Sequence, residues 1–122
     1  VSVVLTPASC NEYQHRLPPE VPVYVLDKEL IEELIGFNFH RGVLACGRRP
    51  DFPDWRRLVP PAGVQGTLLL LVDIHDPENV GNIIRSAAAL GISAIAMTPL
   101  CADPFSRRVL RTSMGGVLLT PI

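Results

Sequence analysis

The chain has 122 residues, enough for one small domain or parts of two, and 48% of them are apolar, which excludes a disordered chain. Its 11 basic and 12 acidic side chains give a net charge of −1, which excludes a uniformly basic nucleic-acid-binding body. Any RNA contact must therefore come from local clusters of charge. The sequence contains no signal-peptide-like or membrane-spanning run, so we expect a cytoplasmic protein without a membrane partner.

Three cysteines, Cys10, Cys46 and Cys101, are widely separated and lack a Cys-x-x-Cys spacing. This pattern argues against a zinc site and against a disulfide framework, and it fits a reducing compartment. No metal ion is expected. We expect each cysteine to be a small buried apolar residue.

The first part of the chain predicts strands around one amphipathic helix. Asp27 is the expected N-cap of that helix and Gly36 is expected to end it. The order is strand, loop, strand, helix, strand, and a right-handed crossover is expected if the strands are parallel. The predicted elements are a strand at residues 1–5 ended by Thr6-Pro7, a polar loop at 11–20, a strand at 21–26, a helix at 28–35 and a strand at 43–46.

Residues 48–66 differ in composition from what precedes them, because they are rich in proline and arginine. They predict an inter-domain linker with one helical turn around Trp55. Charge and ring stacking in this segment are compatible with a local RNA-facing patch, while a solvated linker with Trp55 packed on a domain is the alternative. The patch would comprise Arg48, Arg49, Phe52, Trp55, Arg56 and Arg57.

Residues 68–91 form the most informative stretch, a strand, a sharp turn and a patterned helix. Residues 68–72 are continuously apolar and predict a strand buried on both faces. Asp76 followed by Pro77 fits an N-cap with proline in the first helical position, and Asn79 fits the cap as well.

The helix that follows separates its side chains at about 100° per residue. Its polar side carries an arginine and two amides just past the carboxyl end of a strand, where open α/β sheets place their ligands. Plain solvent exposure of a surface helix is the alternative interpretation. The apolar side is Val80, Ile83, Ile84, Ala87 and Ala88, and the polar side is Asn79, Asn82, Arg85 and Ser86.

After the patterned helix, residues 94–97 predict a strand and residues 105–114 a helix opened by Asp103-Pro104 and ended by Gly115-Gly116. A third strand is expected to begin at residues 117–119. Because the chain stops at Ile122, that sheet would keep an apolar edge with no neighbour. We expect an N-terminal fragment of a longer protein, or a partner that completes the sheet. The predicted helix carries Arg107, Arg108 and Arg111 on its polar side, with Val109 and Leu110 facing inward.

Two segments carry a resemblance to a known family. Residues 76–92, DPENVGNIIRSAAALGI, resemble the first signature motif of the SpoU (TrmH-like) RNA ribose 2′-O-methyltransferases of the SPOUT superfamily. The family pattern Asn-x-Gly-x-x-x-Arg after Asp-Pro is met by Asn79, Gly81 and Arg85. Residues 107–122, RRVLRTSMGGVLLTPI, resemble the following family segment, with its Ser-x-Gly at Ser113 to Gly115.

The resemblance implies an α/β fold in three parts. Residues 1–50 are similar to the end of an L30e-like RNA substrate-binding domain, and residues 51–66 are the linker. Residues 67–122 are similar to the first β-α-β units of a SPOUT methyltransferase domain, whose mostly parallel sheet is knotted.

The resemblance also implies an activity, the transfer of a methyl group from S-adenosylmethionine to a ribose 2′-hydroxyl of rRNA or tRNA. Arg85 matches the main catalytic side chain of the family and Asn79 the asparagine that supports it. A guanidinium stays protonated and is a poor base, so we interpret Arg85 as a clamp for phosphate and the developing alkoxide. The expected substrate-binding residues are Gly81, Asn82, Arg111 and Ser113.

The chain departs from the family in its cofactor motifs. It has neither a Gly-Glu-x-x-Gly-like nor a Ser-Leu-Asn-Val-Ser-like segment. The cofactor-binding residues are therefore expected C-terminal to Ile122, together with the knotted region through which family members form homodimers. This chain alone is expected to be inactive.

Two function classes follow. The first is the methyltransferase, present here as its N-terminal portion. The second is a non-catalytic RNA-binding or protein-interaction module on the same scaffold. A phosphate-binding Rossmann unit is disfavoured, because no Gly-x-Gly-x-x-Gly or Gly-x4-Gly-Lys-Ser/Thr motif occurs.

Overall fold

The computed structural model describes residues 1–122, leaving out only the side chain of residue 55. The chain folds as two compact units, Val1–Arg49 and Pro50–Ile122, and both mix helices with strands, as the predicted α/β class requires. In the described residues no helix is long and apolar enough to cross a membrane. The predicted packing or stacking of Trp55 lies outside the described residues, although its backbone begins the predicted helical turn, a 3-10 helix at Trp55–Arg57.

The first unit contains a three-stranded sheet whose members occupy the predicted positions. Strand β1 (Ser2–Leu5) is central, β2 (Val23–Val25) lies parallel to it and β3 (Val43–Cys46) antiparallel. The condition for a crossover connection, parallel strands, is met by β1 and β2, whereas β3 is antiparallel to β1. The core of this unit is formed by Val3, Leu5, Ile31 and Phe39, all buried.

The expectation of a loop at residues 11–20 is wrong for residues 11–16, which belong to helix α1 (Pro7–Tyr13) and to a 3-10 helix at Gln14–Arg16. Residues 17–20 lie outside helices and strands, as expected. The Thr6 hydroxyl caps α1 by accepting from the Ser9 amide at 3.4 Å, and Pro7 sits in the first turn. Helix α1 buries no residue, so the stretch has no apolar periodicity. The Thr6-Pro7 pair, interpreted as the end of a strand, was the signal for the helix.

Helix α2 (Lys28–Ile35) has its predicted bounds, and Gly36 ends it in the left-handed conformation at φ 72°. Its carboxylate Glu32 reaches beyond the helix end, where Oε1 accepts a 2.7 Å hydrogen bond from the Phe39 amide. This bond lowers the pKa of Glu32, and Lys28, 3.5 Å away, lowers it further. The carboxylate therefore ties the segment after α2, with buried Phe39, back to the helix.

A pH-dependent loosening of this tie is expected. Because the folded-state pKa of Glu32 is depressed, its stabilising contribution is present above the unfolded-state pKa of glutamate and is lost as the pH falls through the folded-state value. Glu32→Gln should weaken the protection of the Phe39 amide from hydrogen exchange at neutral pH. The NMR chemical shift of the Phe39 amide should also no longer depend on pH in this variant. Glu33→Gln, on the same helix, is the control. Equal Phe39 protection in wild type and Glu32→Gln at neutral pH would contradict this assignment.

The second unit is built on a parallel strand pair with a helical connection. Strand β4 (Leu68–Leu71) pairs in parallel with β5 (Ala94–Met97), and helix α3 (Pro77–Ala89) joins them. Helix α4 (Arg107–Thr112) and a 3-10 helix at Gly116–Leu118 pack against α3. This confirms the predicted β-α-β unit. Its buried core comprises Leu71, Val80, Ile84, Ala87, Ile95, Val109 and Val117.

Strand β4 is not buried on both faces as predicted. Leu71 is 3% exposed, but Leu68 and Leu70, which point to the opposite side, are 45% and 61% exposed. Both faces of β4 are apolar in sequence, but in the described residues the helices of this unit cover only one of them.

A third strand at residues 117–119 is also a wrong prediction. Gly115, at φ 84°, turns the chain into the 3-10 helix, which buries Val117 and leaves Leu118 and Leu119 exposed. The chain reaches β5 only afterwards, where the Pro121 carbonyl accepts from the Ile95 amide at 2.9 Å. In the described residues the sheet of this unit has two strands.

The cysteines are free thiols, as expected without a disulfide framework. The prediction that each is buried is wrong. Cys46 is exposed at the end of β3, and Cys10 and Cys101 are half-buried.

Candidate functional site

The start of α3 is fixed by its cap. Asp76 is the N-cap, and its Oδ1 accepts a 2.9 Å hydrogen bond from the Glu78 amide, with Pro77 in the first turn. This resolves the choice between Asp76 and Asn79 in favour of Asp76. Asn79 consequently lies inside the first turn, with its side chain exposed and available to a ligand.

The two sides of α3 separate as the sequence predicts. Val80, Ile84 and Ala87 are buried in the core, whereas Asn79, Asn82 and Arg85 are exposed. Among the described residues the Arg85 guanidinium makes no hydrogen bond or ion pair. Its donors and its charge are therefore directed to solvent rather than consumed inside the fold.

Arg85 lies further from the sheet edge than the sequence suggested. It is nine residues after the cap Asp76, which corresponds to roughly 13 Å along the helix axis. The polar side of α3 is therefore an edge that begins near the carboxyl ends of β4 and β5 and continues along the helix to Arg85. We call Asn79, Asn82 and Arg85 the α3 polar edge.

Helix α4 and the turn after it support α3 through two glycines. A Cβ atom on Gly81 would lie 2.6 Å from Thr112 Cβ and 3.2 Å from the Ser113 amide nitrogen. A Cβ atom on Gly116 would lie 3.4 Å from the Cα of Arg85. The segment from Thr112 to Gly116 thus runs against the backbone of α3 from Gly81 to Arg85.

An ion pair between Glu78 and Arg108 connects the first turns of α3 and α4. Both side chains are exposed, so the pair contributes little to stability. Arg111, one turn later on α4, is exposed and makes no hydrogen bond or ion pair through its side chain within the described residues. Arg85 and Arg111 are therefore available cations on two packed helices, whereas Arg108 is neutralised.

Two residues expected to bind substrate are buried. Gly81 is part of the α3–α4 contact, and Ser113 is 1% exposed with its hydroxyl donating to the Leu110 carbonyl at 3.2 Å. Both residues shape the helix contact behind the α3 polar edge in this structure. The Asn-x-Gly-x-x-x-Arg pattern therefore combines exposed polar groups with a packing glycine.

Sequence reasoning gave no role to the pair formed by Asp73 and Thr98. Asp73 follows β4 in the left-handed conformation at φ 50°, and Thr98 follows β5. Thr98 Oγ1 accepts from the Asp73 amide at 2.9 Å and donates to Asp73 Oδ1 at 2.7 Å. The available signal was that a polar residue directly follows each of two parallel strands, which places the two together at one sheet edge.

The arginine-rich patch predicted in residues 48–66 is partly occupied by internal contacts. Arg56 pairs with Asp54 at 3.3 Å, and the Phe52 ring lies 6.0 Å from the Phe105 ring. A pocket of about 310 Å³ lies beside these rings, between residues 50–53 and 117–122, and none of its lining residues belongs to α3. The described residues contain no group of three acidic, histidine or cysteine side chains suited to a metal ion.

The chemistry available at the α3 polar edge is that of a fixed cation with neighbouring amides. A guanidinium keeps its charge at all working pH values and presents donors in a planar fork that matches phosphate oxygens. The amides of Asn79 and Asn82 both donate and accept. These groups have the charge and the hydrogen-bond donors that suit a phosphate or a negatively charged oxygen.

Comparison with known proteins agrees with the fold and with the motif. The sequence profile of the SpoU rRNA Methylase family matches residues 66–122. An uncharacterized tRNA/rRNA methyltransferase of Mycobacterium bovis is 41% identical over 100 residues, covering 82% of this chain and 34% of that protein. The mitochondrial rRNA methyltransferase 3B of Danio rerio is 41% identical over 103 residues, covering 84% of this chain and 22% of that protein. The chain thus spans about a third or less of these relatives.

Solved structures give the same result. The AdoMet-bound rRNA methyltransferase of Sinorhizobium meliloti superposes with a TM-score of 0.76 at 26% identity, over 99% of this chain and 45% of that one. A putative RNA methyltransferase of the TrmH family from Porphyromonas gingivalis superposes with a TM-score of 0.77 at 28% identity, over 98% and 44%. Residues 66–122, the segment that carries the α3 polar edge, belong to the SpoU rRNA Methylase family.

Proposed function

We propose that the protein containing this chain is an S-adenosylmethionine-dependent RNA methyltransferase that modifies a ribose 2′-hydroxyl. The observation that carries the proposal is the exposed Arg85 guanidinium, which has no partner among the described residues and lies on the helix that matches the family's first motif. An unpaired arginine one helical turn from an exposed amide is suited to an anionic substrate.

Arg85 acts as a clamp and an electrostatic stabiliser. Its guanidinium holds the phosphate next to the target ribose and so fixes the 2′-oxygen in place. When that oxygen loses its proton, the same positive charge stabilises the alkoxide. The charge is already in position before the reaction, so little reorganisation is needed at the moment of transfer. A role as general base is disfavoured because the guanidinium does not lose its proton.

Neighbouring side chains extend the binding edge. Asn79 supports the catalytic arginine from the first turn of α3, and Asn82 lies one turn closer to Arg85. Arg111 supplies a second cation from α4. Gly81 and Ser113 act on the substrate indirectly, since their buried positions set how closely α4 approaches α3.

The methyl donor is S-adenosylmethionine, which supplies an electrophilic methyl group when bound. The described residues beside Arg85 do not fit this cofactor, since the pocket described in this unit is lined without any residue of α3. The cofactor-binding residues are proposed to lie C-terminal to Ile122. Two observations support this placement: the absence of the family's cofactor motifs here, and the larger extent of the AdoMet-bound relative.

Substrate selection is assigned to the N-terminal part. We assign residues 1–50 to an L30e-like RNA-binding domain, 51–66 to a linker and 67–122 to the start of the catalytic domain. Within the first unit Arg16 lies over the Tyr13 ring at 5.4 Å, a pairing of cation and aromatic ring suited to an RNA base. The substrate is rRNA or tRNA, and the full-length protein is proposed to be a cytoplasmic homodimer.

Analysis of the methylated product tests the proposal. The full-length protein is incubated with radiolabelled S-adenosylmethionine and unmodified rRNA or tRNA transcripts, and the RNA is then digested to nucleosides. We expect the label in a 2′-O-methylnucleoside. In undigested RNA, the phosphodiester bond on the 3′ side of the modified nucleotide should resist alkaline cleavage. Label in a base, or no transfer to any transcript, would reject it. RNA binding without transfer would instead favour a non-catalytic module.

A further inference from the structure

We propose that Thr98 is a positioning residue of this site, acting through Asp73, and this inference rests on the proposed function. Thr98 follows β5 and Asp73 follows β4, so the pair joins the carboxyl ends of the two parallel strands. The segment from Asp73 to Asp76 leads directly into α3, which carries Asn79 and Arg85. A side chain that fixes this segment therefore fixes where the α3 polar edge begins.

The backbone of Asp73 needs such support. Its φ of 50° lies in the left-handed region, which residues with a side chain adopt at a cost. Aspartate is among the residues that reach this region most readily, because its short side chain forms local hydrogen bonds. Here the carboxylate is engaged by a residue on the neighbouring strand instead, so the conformation depends on a contact across the sheet.

One hydroxyl makes both contacts. Thr98 Oγ1 accepts from the Asp73 amide at 2.9 Å and donates its proton to Asp73 Oδ1 at 2.7 Å. The hydrogen bond from the Asp73 amide holds the backbone of this residue, and the hydrogen bond to its carboxylate holds the side chain. Removing the hydroxyl loses both at once, whereas a change at Asp73 alone leaves the hydroxyl in place.

Other bonds around this turn survive the loss of the hydroxyl. The Thr98 amide donates to the Leu71 carbonyl at 3.0 Å, and the Ala102 amide donates to the Ile74 carbonyl at 2.8 Å. Cys101 Sγ accepts from the Ile74 amide at 3.4 Å. The β4–β5 pairing and the loop after β5 therefore stay connected in a Thr98→Val variant. The loss falls on the two hydrogen bonds to Asp73 and on the 3.6 Å contact between Thr98 Oγ1 and Cys101 Sγ.

A double-mutant cycle with glycine distinguishes positioning from plain stability. Because glycine adopts a φ of 50° without strain, the Asp73→Gly variant does not need the Thr98 hydroxyl to hold this backbone conformation. Thr98→Val should lower kcat of the full-length enzyme roughly 10-fold with KM for S-adenosylmethionine unchanged, since a small displacement of a reacting geometry is costly. In the Asp73→Gly background, Thr98→Val should not lower kcat any further. The single variant Thr98→Ser, which keeps the hydroxyl, should have the kcat of wild type.

Equal losses from Thr98→Val in both backgrounds, or a Thr98→Val kcat equal to that of wild type, would overturn the inference. Hydrogen exchange of the Asp73 amide, which donates to the Thr98 hydroxyl, is the second readout and needs no catalysis. We expect faster exchange at this amide in Thr98→Val, and unchanged exchange would also overturn the inference. If wild-type enzyme transfers no methyl group, the proposed function fails, and the exchange experiment alone decides whether Thr98 holds the turn.

Discussion

Replacing Arg85 with alanine is expected to lower kcat for methyl transfer by roughly 10³-fold, the size of effect seen when a preorganised charge is removed from a developing oxyanion. The guanidinium is exposed and makes no bond to the described residues, so its removal leaves the fold without an orphaned partner. The melting temperature should therefore stay unchanged. Affinity for S-adenosylmethionine should also stay unchanged, because the cofactor is proposed to be bound elsewhere.

Two further variants make this experiment specific. Arg85→Lys keeps the charge but loses the planar fork, so it should recover only part of the lost activity if Arg85 grips a phosphate through two donors. Arg108→Ala removes a guanidinium from the adjacent helix, where it is already neutralised by Glu78, and should leave turnover near wild type. Wild-type turnover by Arg85→Ala would remove the chemical basis of the proposed function.

The sequence predicted the positions of those helices that combine an apolar pattern with a cap, since α2 has Asp27 and Gly36 at its ends and α3 has Asp76-Pro77. It predicted the buried side of α3, whereas in α2 only Ile31 is buried. The same pattern identified Arg85 as a polar residue on a helix with a buried opposite side. It could not say that Arg85 would be unpaired, because ion pairing depends on which elements pack nearby.

The wrong predictions have two physical origins, a helix whose only signal is its local cap and segments whose conformation is decided by tertiary contacts. Helix α1 buries nothing, so only its Thr6-Pro7 cap marked it. Residues 117–119 look like a strand, yet Gly116 packs on α3 and draws them into a 3-10 helix. The hydroxyl of Thr98 acquires its partner only when two distant strand ends become neighbours in the sheet.

The second prediction concerns Gly81, whose place in the motif is explained by packing. A methyl group at this position would lie 2.6 Å from Thr112 Cβ, 3.1 Å from Thr112 Cγ2 and 3.2 Å from the Ser113 amide nitrogen. None of the three atoms is the free end of a long flexible side chain, so the two helices must separate to make room. Overpacking of this kind costs about 1–3 kcal/mol, against which the better helix propensity of alanine returns about 1 kcal/mol.

Gly81→Ala is therefore expected to lower the free energy of unfolding by up to about 2 kcal/mol, measured by urea denaturation with Trp55, the chain's single tryptophan, as the fluorescent reporter. Gly47→Ala, where a methyl group would meet nothing within 4 Å, is the matched control and should not destabilise. In a Thr112→Gly background the two closest contacts are gone, so Gly81→Ala should become much less costly. An equal cost in both backgrounds would mean that the α3–α4 contact does not explain this glycine.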